Sequence, residues 1–171
     1  MEYMILVTHG ILGAAVSRIF TANPIAAFFI GFASHLAFDM IPHWEYQIHS
    51  AERDPNDPKI VKDMAINKQF FLDLSRFGLD ALAGVVLPIL LFDPHLNNPW
   101  PIFWGAIGGI LPDPLQFAYF KFKHWPLTWL QRFHVWIHAN ISLQDSPLVG
   151  IPFQILILAA VVGISFLLTS S

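Results

Sequence analysis

Histidine and aspartate recur four residues apart in the apolar segment "GFASHLAFDMIPHWEY", where His35, Asp39 and His43 follow one another. The same interval separates His134 from His138 in a later segment. Side chains at i and i+4 lie on one face of a helix, so both members of such a pair can reach a single ion. Imidazole and carboxylate groups are ligands of zinc and of similar divalent metals. The pairs therefore predict a metal site, and we expect a divalent metal, with zinc as the best candidate, as cofactor.

A plainer interpretation of these pairs stays open. An aspartate can orient a metal-binding histidine without touching the ion itself, and a His–Asp pair can also act as a hydrogen bond that joins two helices. Ionisable residues within apolar helices are costly, however, and they usually serve a function. We therefore weigh the metal-binding interpretation of His35 with Asp39 above the structural one.

Two more side chains complete the candidate site. Asp113 lies between Pro112 and Pro114 in "GGILPDP", and because proline lacks a backbone N–H and disrupts a helix, we predict a helix break there. A broken helix is tolerated at membrane depth only where it lines a cavity or is buried in protein. His9 lies in the first apolar segment. The predicted metal ligands are thus His9, His35, Asp39, Asp113, His134 and His138, with Asp39 and Asp113 also the predicted catalytic residues.

The composition predicts an integral membrane protein. Of the 171 residues, 55% are hydrophobic and only 12% are charged, whereas soluble domains carry about 25% charged residues. The net charge of −3 and the scattered basic residues give no nucleic-acid-binding patch. We therefore expect a lipid bilayer, and no nucleic acid, as partner. Because cysteine is absent, disulfides are excluded and the metal ligands must be histidine or carboxylate.

The apolar segments predict an all-α, polytopic membrane protein that forms a single helical domain over residues 1–171. A spanning helix needs about 20 apolar residues, and the candidates are 3–20, 24–42, 70–92, 100–120 and 150–169. The segment 126–143 is too polar for a span, and we predict a helix at the membrane surface. The polar stretch that contains "RDPNDPK" predicts a solvated loop with a plain turn. No sequence feature specifies an oligomeric state.

Basic residues predict the orientation. With five spans, one side of the membrane holds the N-terminus, the 43–69 loop and the 121–149 segment. That side carries Arg53, Lys59, Lys62, Lys68, Lys121, Lys123 and Arg132. The opposite side carries at most Arg18. Because cytoplasmic loops are enriched in Lys and Arg, we predict an inner-membrane protein with a cytoplasmic N-terminus, and the predicted ligands then fall in the cytoplasmic half.

Other ionisable residues have simpler explanations. Histidines at predicted membrane edges are more often interfacial than metal-bound, and this group contains His43, His49, His95 and His124. Asp80 has a suitable ion-pair partner one turn away in Arg76. Asp73 is expected at the membrane interface. We predict none of these residues as metal ligands.

The motifs "THGILGA", "SHLAFDMIPHW" and "GGILPD", with the late histidine pair, resemble the bacterial family of membrane-bound metal-dependent hydrolases of the LexA-regulated inner-membrane type. The family's Thr-His-Gly element matches Thr8, His9 and Gly10. Its Ser-His-x-x-x-Asp element matches Ser34, His35 and Asp39. Its Gly-x-Leu-Pro-Asp element matches Gly109, Leu111, Pro112 and Asp113. The resemblance covers most of the chain and implies a metal-dependent hydrolase.

Two departures from that family bear on catalysis. Leu115 stands where the family usually has a second aspartate, and "RFHVWIHAN" is only a loose counterpart of its His-Arg-Gly and Thr-His-Ser block. The departures are compatible with a divergent enzyme that has a reduced ligand set, and also with a relative that has lost catalysis.

The leading hypothesis is a metal-dependent hydrolase that acts on a lipid or a phosphoester head group at the cytoplasmic face. The metal would lower the pKa of a bound water, and an unligated Asp or His would act as general base. Two alternatives stay open. One is a cation- or proton-translocating protein, since chains of intramembrane His and Asp also serve as relays. The other is a non-catalytic helical scaffold in which the His–Asp pairs only join helices.

Overall fold

The computed structural model describes residues 3–46, 48–53, 55, 61–139, 141, 143 and 145–169. In these residues the helices are α1 (Leu6–Phe20), α2 (Pro24–Phe38), α3 (Lys68–Phe92), α4 (Trp100–Ile110), α5 (Pro112–Phe122), α6 (Leu127–Ile137) and α7 (Pro147–Thr169). Short strands form two antiparallel pairs, β1 (Tyr3–Met4) with β2 (Glu45–Tyr46) and β3 (Ala51–Arg53) with β4 (Val61–Met64). The predicted all-α class is confirmed.

Two of the described helices, α3 and α7, are long and apolar enough to cross a membrane, by length and composition. They contain 25 and 23 residues, and few of their residues are buried. The other predicted spans are shorter, since α1 and α2 contain 15 residues each and α4 contains 11. A helix of 15 residues extends about 22 Å, which is less than the roughly 30 Å of a bilayer's hydrocarbon core. The prediction of five membrane-spanning helices is therefore wrong in number.

Local features shorten the other three segments. The first segment begins with β1, so α1 starts only at Leu6. The second ends at Phe38, with Asp39 at the C-terminal cap position, and the chain then turns. The fourth divides at Leu111, where Pro112 begins α5 and offers no backbone N–H to continue α4. The predicted break at the prolines is confirmed.

Within the predicted surface segment 126–143, the helix α6 presents two different faces. Gln131 and His134 are buried, whereas Trp129 and Trp136 are 62% and 77% exposed. Residues 140 and 142 of the segment lie outside the described residues. An amphipathic helix of this kind positions polar side chains inward and apolar side chains outward.

Glycines let α1, α2 and α4 approach one another at backbone distance. A Cβ at Gly31 would lie 2.1 Å from the carbonyl oxygen of Gly105, and one at Gly13 would lie 2.5 Å from the same atom. A Cβ at Gly109 would lie 2.3 Å from the carbonyl oxygen of His9. Backbone atoms cannot rotate away from such an overlap, so only glycine fits these positions. The close contacts fix the separation of helices that carry predicted ligands.

Asp80 caps α1 and does not pair with Arg76. Its carboxylate accepts hydrogen bonds from the backbone N–H groups of Leu6 (2.6 Å) and Val7 (3.3 Å). The first N–H groups of a helix lack intrahelical acceptors, and α1 has no side-chain cap of its own. The predicted Asp80–Arg76 pair is therefore wrong. A carboxylate from α3 instead fixes the start of α1, one turn before His9.

Asp73 anchors the loop that follows β2. It is 3% exposed, and its Oδ2 accepts hydrogen bonds from the backbone N–H groups of His49 (3.0 Å) and Ser50 (2.8 Å). The expectation of an interfacial Asp73 is wrong, because the polar loop folds back over it and forms β3 and β4. Most of the predicted turn "RDPNDPK", at 54 and 56–59, lies outside the described residues.

Replacing Gly31 by alanine is expected to destabilise the protein, because the new methyl group would overlap the carbonyl oxygen of Gly105. Overpacking of this kind costs about 1–3 kcal/mol, which should lower the melting temperature of detergent-purified protein by several degrees. The matched control is Gly78→Ala, since a Cβ at that helical position meets nothing within 4 Å. The control should melt at or slightly above the wild-type temperature. Equal melting temperatures for the two variants would contradict the packing argument.

Replacing Asp80 by alanine is expected to lower stability by about 0.5–2 kcal/mol, the usual cost of losing a helix cap. Amide hydrogen exchange should also become faster at Leu6 and Val7, because their N–H groups lose their acceptor. Asp145→Ala, at an exposed aspartate, is the control and should change neither quantity. Unchanged exchange at both amides in Asp80→Ala would show that another group caps α1.

Candidate metal centre

The structure brings all six predicted ligands into one cluster at one end of the helices. The ends of four helices supply them: α1 gives His9, α2 gives His35 and Asp39, α5 gives Asp113, and α6 gives His134 and His138. All except His138 are buried. The helix starts and ends described above therefore decide where these side chains lie.

Asp39 lies at the centre of the cluster. Its Oδ1 is 3.2 Å from His9 Nε2, and its Oδ2 is 3.1 Å from His35 Nε2 and 2.5 Å from His134 Nε2. Asp113 approaches from α5, with its Oδ1 3.6 Å from His35 Nε2. The rings of His9 and His35 stack with their centroids 3.8 Å apart. One carboxylate is thus surrounded by three imidazole rings.

Several of these separations fit ligands that share one zinc ion. Zinc binds histidine nitrogen and carboxylate oxygen at about 2.0–2.2 Å, so two ligand atoms on a tetrahedral ion lie about 3.3–3.5 Å apart. The distances from Asp39 to His9 and His35, 3.2 and 3.1 Å, and from Asp113 to His35, 3.6 Å, lie near that value. The 2.5 Å contact of His134 with Asp39 is instead a direct hydrogen bond. In this geometry, His134 orients Asp39.

Among the described residues, three overlapping groups of side chains could hold a metal ion, because the ligand atoms within each group lie within 4.8 Å of one another. The groups are His9 with His35 and Asp39, His35 with Asp113 and His134, and Asp39 with His43 and His138. Histidine and carboxylate ligands suit zinc and also other divalent transition metals.

His35 is held in the orientation that a metal ligand needs. Its Nδ1 donates a hydrogen bond to the carbonyl oxygen of Gly109 (2.7 Å), so in the neutral ring Nε2 carries the lone pair and faces Asp39 and Asp113. Metal-binding histidines commonly donate their other N–H to a carbonyl or carboxylate. Gly109 therefore acts twice, since its bare Cα admits the backbone of His9 and its carbonyl orients His35.

Two cluster members lie outside the predicted ligand set, His43 and Glu45. They are 3% and 2% exposed, and their Nε2 and Oε1 atoms lie 2.6 Å apart. His138 Nε2 lies 3.2 Å from the same Glu45 oxygen. The expectation of an interfacial His43 is wrong, because the chain turns after α2 and the pairing of β2 with β1 folds this segment against the helices. The four-residue interval between Asp39 and His43 is the sequence signal that could have identified His43 as a member of the cluster, although α2 ends before His43.

Glu45 and His138 perturb each other's protonation. Burial raises the pKa of Glu45, but hydrogen bonds from His138 and His43 outweigh it and hold the pKa below its usual value. Burial lowers the pKa of His138, but the hydrogen bond to Glu45 and the charges of Asp39 and Glu45 raise it to about 9.

Three buried carboxylates, Asp39, Glu45 and Asp113, share this small volume. In the described part of the chain, their ion-pair partners are all histidines. Burying a charge costs several kcal/mol unless an opposite charge compensates it. Neutral histidines supply no such charge, so the cluster needs protons or metal cations.

Asp113 connects the cluster to an apolar cavity of about 140 Å³. The apolar part of the lining consists of Leu6, Met64, Phe70, Leu74, Phe77, Pro114 and Phe117. Oδ1 of Asp113 accepts a hydrogen bond from Gln116 Nε2 (3.1 Å), whereas its buried Oδ2 has no hydrogen-bond partner. Among the cluster residues, Asp113 is the one that lines this cavity, so it faces both the candidate ligands and space for another molecule.

Comparison with protein-family models, curated proteins and solved structures finds no match to this chain. The resemblance to the membrane-bound hydrolase family therefore stays a prediction. The function is therefore inferred from the chemistry of the cluster and of its cavity.

Zn²⁺ is expected to raise the melting temperature of chelator-treated, detergent-purified protein, and His35→Ala should abolish that rise. A ligand that binds only the folded state at 100 times its Kd stabilises it by about 2.7 kcal/mol. His95→Ala is the control, because His95 is exposed in the loop after α3, and it should respond to Zn²⁺ like the wild type. If Zn²⁺ has no effect and His35→Ala merely melts lower, the cluster is a structural hydrogen-bond network.

Proposed function

We propose that this protein is a zinc-dependent hydrolase in the cytoplasmic membrane, acting on a lipid or another amphiphile with an ester or phosphoester bond. The observation that carries the proposal is the position of Asp113. Its Oδ1 lies 3.6 Å from Nε2 of the candidate ligand His35, and the same residue lines an apolar cavity. A metal-dependent hydrolase needs metal ligands beside a concave space for its substrate.

The exposed surface supports insertion into a membrane. The helices α3 and α7 present many large apolar side chains, such as Leu79 and Leu156, which are 69% and 66% exposed. Exposed apolar area of this extent marks a contact surface for lipid or protein. We place α3 and α7 across the bilayer, with the shorter α1, α2 and α4 packed beside them. Lys68 begins α3 and Lys121 lies near the end of α5, so the positive-inside rule favours a cytoplasmic N-terminus and a cytoplasmic site.

The candidate catalytic groups have different surroundings, which suit different roles. When bound, zinc would lower the pKa of a coordinated water toward neutrality and polarise the bond to be cleaved. Asp113 is suited to act as general base, because its unpartnered Oδ2 can accept a proton while Gln116 holds Oδ1 in place. Asp39 is enclosed by three histidines, and this enclosure suits a metal ligand.

The cavity favours an amphiphilic substrate. A dry apolar cavity of about 150 Å³ in another protein binds benzene, so a cavity of about 140 Å³ accommodates a short apolar segment. Leu74 lines the cavity and is 49% exposed, which leaves an approach from the apolar surface. An acyl chain that entered past Leu74 would place its head-group bond near Asp113.

Hydrolysis by the purified protein is the direct test. With Zn²⁺ present, we expect turnover of short-chain phospholipids or of p-nitrophenyl esters, and Asp113→Asn should lower kcat by at least about 100-fold. Asp145→Asn, at an exposed aspartate, is the control and should retain activity. Bound metal without hydrolysis of either substrate class would contradict the proposal, and cation flux in proteoliposomes would then favour transport.

A bulky side chain at the cavity entrance is expected to discriminate between substrates. Leu74→Trp should lower kcat/KM for long-chain amphiphiles more than tenfold, with little effect on a short soluble ester, because it narrows the approach to Asp113. Leu72→Trp is the matched control, since Leu72 is 47% exposed in the same helix and is not among the cavity-lining residues. Equal effects of both variants on both substrates would show that the cavity does not receive the apolar chain.

A further inference from the structure

His43, Glu45 and His138 form a compact group beside Asp39. The Nε2 atoms of His43 and His138 lie 2.6 and 3.2 Å from the same oxygen, Glu45 Oε1. The two rings lie 5.1 Å apart, and ligand atoms of Asp39, His43 and His138 all lie within 4.8 Å of one another. This group needs neither His9, His35 nor His134, so it is a separate set of potential ligands.

Main-chain hydrogen bonds turn both histidines toward this group. Nδ1 of His43 donates to the carbonyl oxygen of Ile41 (2.7 Å), and Nδ1 of His138 donates to that of Ala139 (3.2 Å). A neutral imidazole that is protonated on Nδ1 has only a lone pair on Nε2. That lone pair faces an oxygen of Glu45, which is also an acceptor. The arrangement is repulsive unless a proton or a metal ion lies between the two atoms.

One buried oxygen of this group lacks a hydrogen-bond partner. Glu45 Oε2 is buried and makes no hydrogen bond, although buried polar atoms are nearly always hydrogen-bonded. Histidines whose Nδ1 donates to a backbone carbonyl, which leaves Nε2 as the ligating atom, are common among metal ligands. The 2.6 Å separation of His43 Nε2 and Glu45 Oε1 is shorter than two ligands of one ion require, so a second divalent ion would be bound through the unpartnered Oε2 of Glu45.

Asp39 lies between this group and the candidate zinc ligands. Its Oδ1 approaches His9, and its Oδ2 approaches His35 and His134. Its backbone carbonyl also accepts a hydrogen bond from the N–H of Ala139 (2.7 Å), which holds the residue after His138 against the end of α2. A carboxylate in this position can bridge two ions.

We infer that the cluster holds two divalent ions, the second bound by His43, Glu45 and His138 and bridged to the first by Asp39. This inference rests on the proposed metal binding and deepens it. In two-metal hydrolases the ions lie about 3.5–4 Å apart and clamp the attacking and leaving oxygens. Two ions would leave one positive charge in excess over the carboxylates Asp39, Glu45 and Asp113. The assembled site therefore selects an anionic phosphoester over a neutral carboxylic ester.

The number of bound ions tests the inference on the unaltered protein. Chelator-treated protein is reloaded with Zn²⁺ or Mn²⁺, and the number of metal ions per chain is measured by elemental mass spectrometry. We expect two ions per chain and, for the Mn²⁺-loaded protein, an electron paramagnetic resonance spectrum that shows spin coupling between the two ions. A single bound ion without spin coupling would overturn the second metal site but would leave the proposed hydrolase function in place. The absence of any bound ion would overturn both.

Variants then locate the second ion. Glu45→Gln should lower the stoichiometry from two to one, remove the spin coupling and reduce the preference for phosphoesters over carboxylic esters at least tenfold. His49→Ala is the matched control, because His49 lies in the same loop with its side chain 53% exposed, and it should keep two ions. Two coupled ions in Glu45→Gln would overturn the assignment. Should that variant fail to fold, the stoichiometry and coupling of the wild type decide the matter.

Discussion

The compensation of one buried negative charge, that of Asp39, is the constraint on which the rest of the structure depends. The three imidazoles around it come from different helices, with His9 on α1, His35 on α2 and His134 on α6. A buried carboxylate without partners would cost several kcal/mol. The three rings, with the protons or cations that they hold, surround Asp39 only when all three helices are correctly assembled, and this requirement couples the folding of the bundle to the chemistry of the cluster.

The backbone sets the accuracy of that assembly. Glycine contacts at Gly13, Gly31 and Gly109 leave no room for the helices to slide without steric overlap. Asp80 fixes the start of α1, and Asp39 marks the end of α2. Side chains that emerge near such fixed points are preorganised, which is what a metal centre requires of its ligands. The candidate site therefore lies where helix ends, and not helix centres, meet.

Much of the cluster could be predicted from the sequence, because ionisable residues in apolar segments are rare and their spacing is informative. His35 and Asp39 follow helical periodicity, and Asp113 is marked by its flanking prolines. His43 and Glu45 could not be assigned, since they follow the end of α2 and the pairing of β1 with β2 places them. That pairing joins residues about 40 positions apart, and no local pattern encodes it.

The length of the helices was harder to predict for a related reason. Hydropathy counts apolar residues, but hydrogen-bonding groups decide where a helix stops. The apolar run after Pro24 continues past Phe38 in composition, yet the helix ends at Phe38, and the side chain of Asp39 beyond it contacts His35. Asp73 and Asp80 were misassigned in the same way, because their partners are backbone N–H groups of distant segments.

The two-faced helix α6 gives the cluster a mechanical link to its surroundings. His134 faces inward to Asp39, while Trp129 and Trp136 on the opposite face are exposed. Because one helix carries both sets of side chains, a rotation of α6 moves its exposed face and its buried face together. Such a rotation would change the 2.5 Å contact between His134 and Asp39, so whatever binds the exposed tryptophan face would act on the cluster through this one contact.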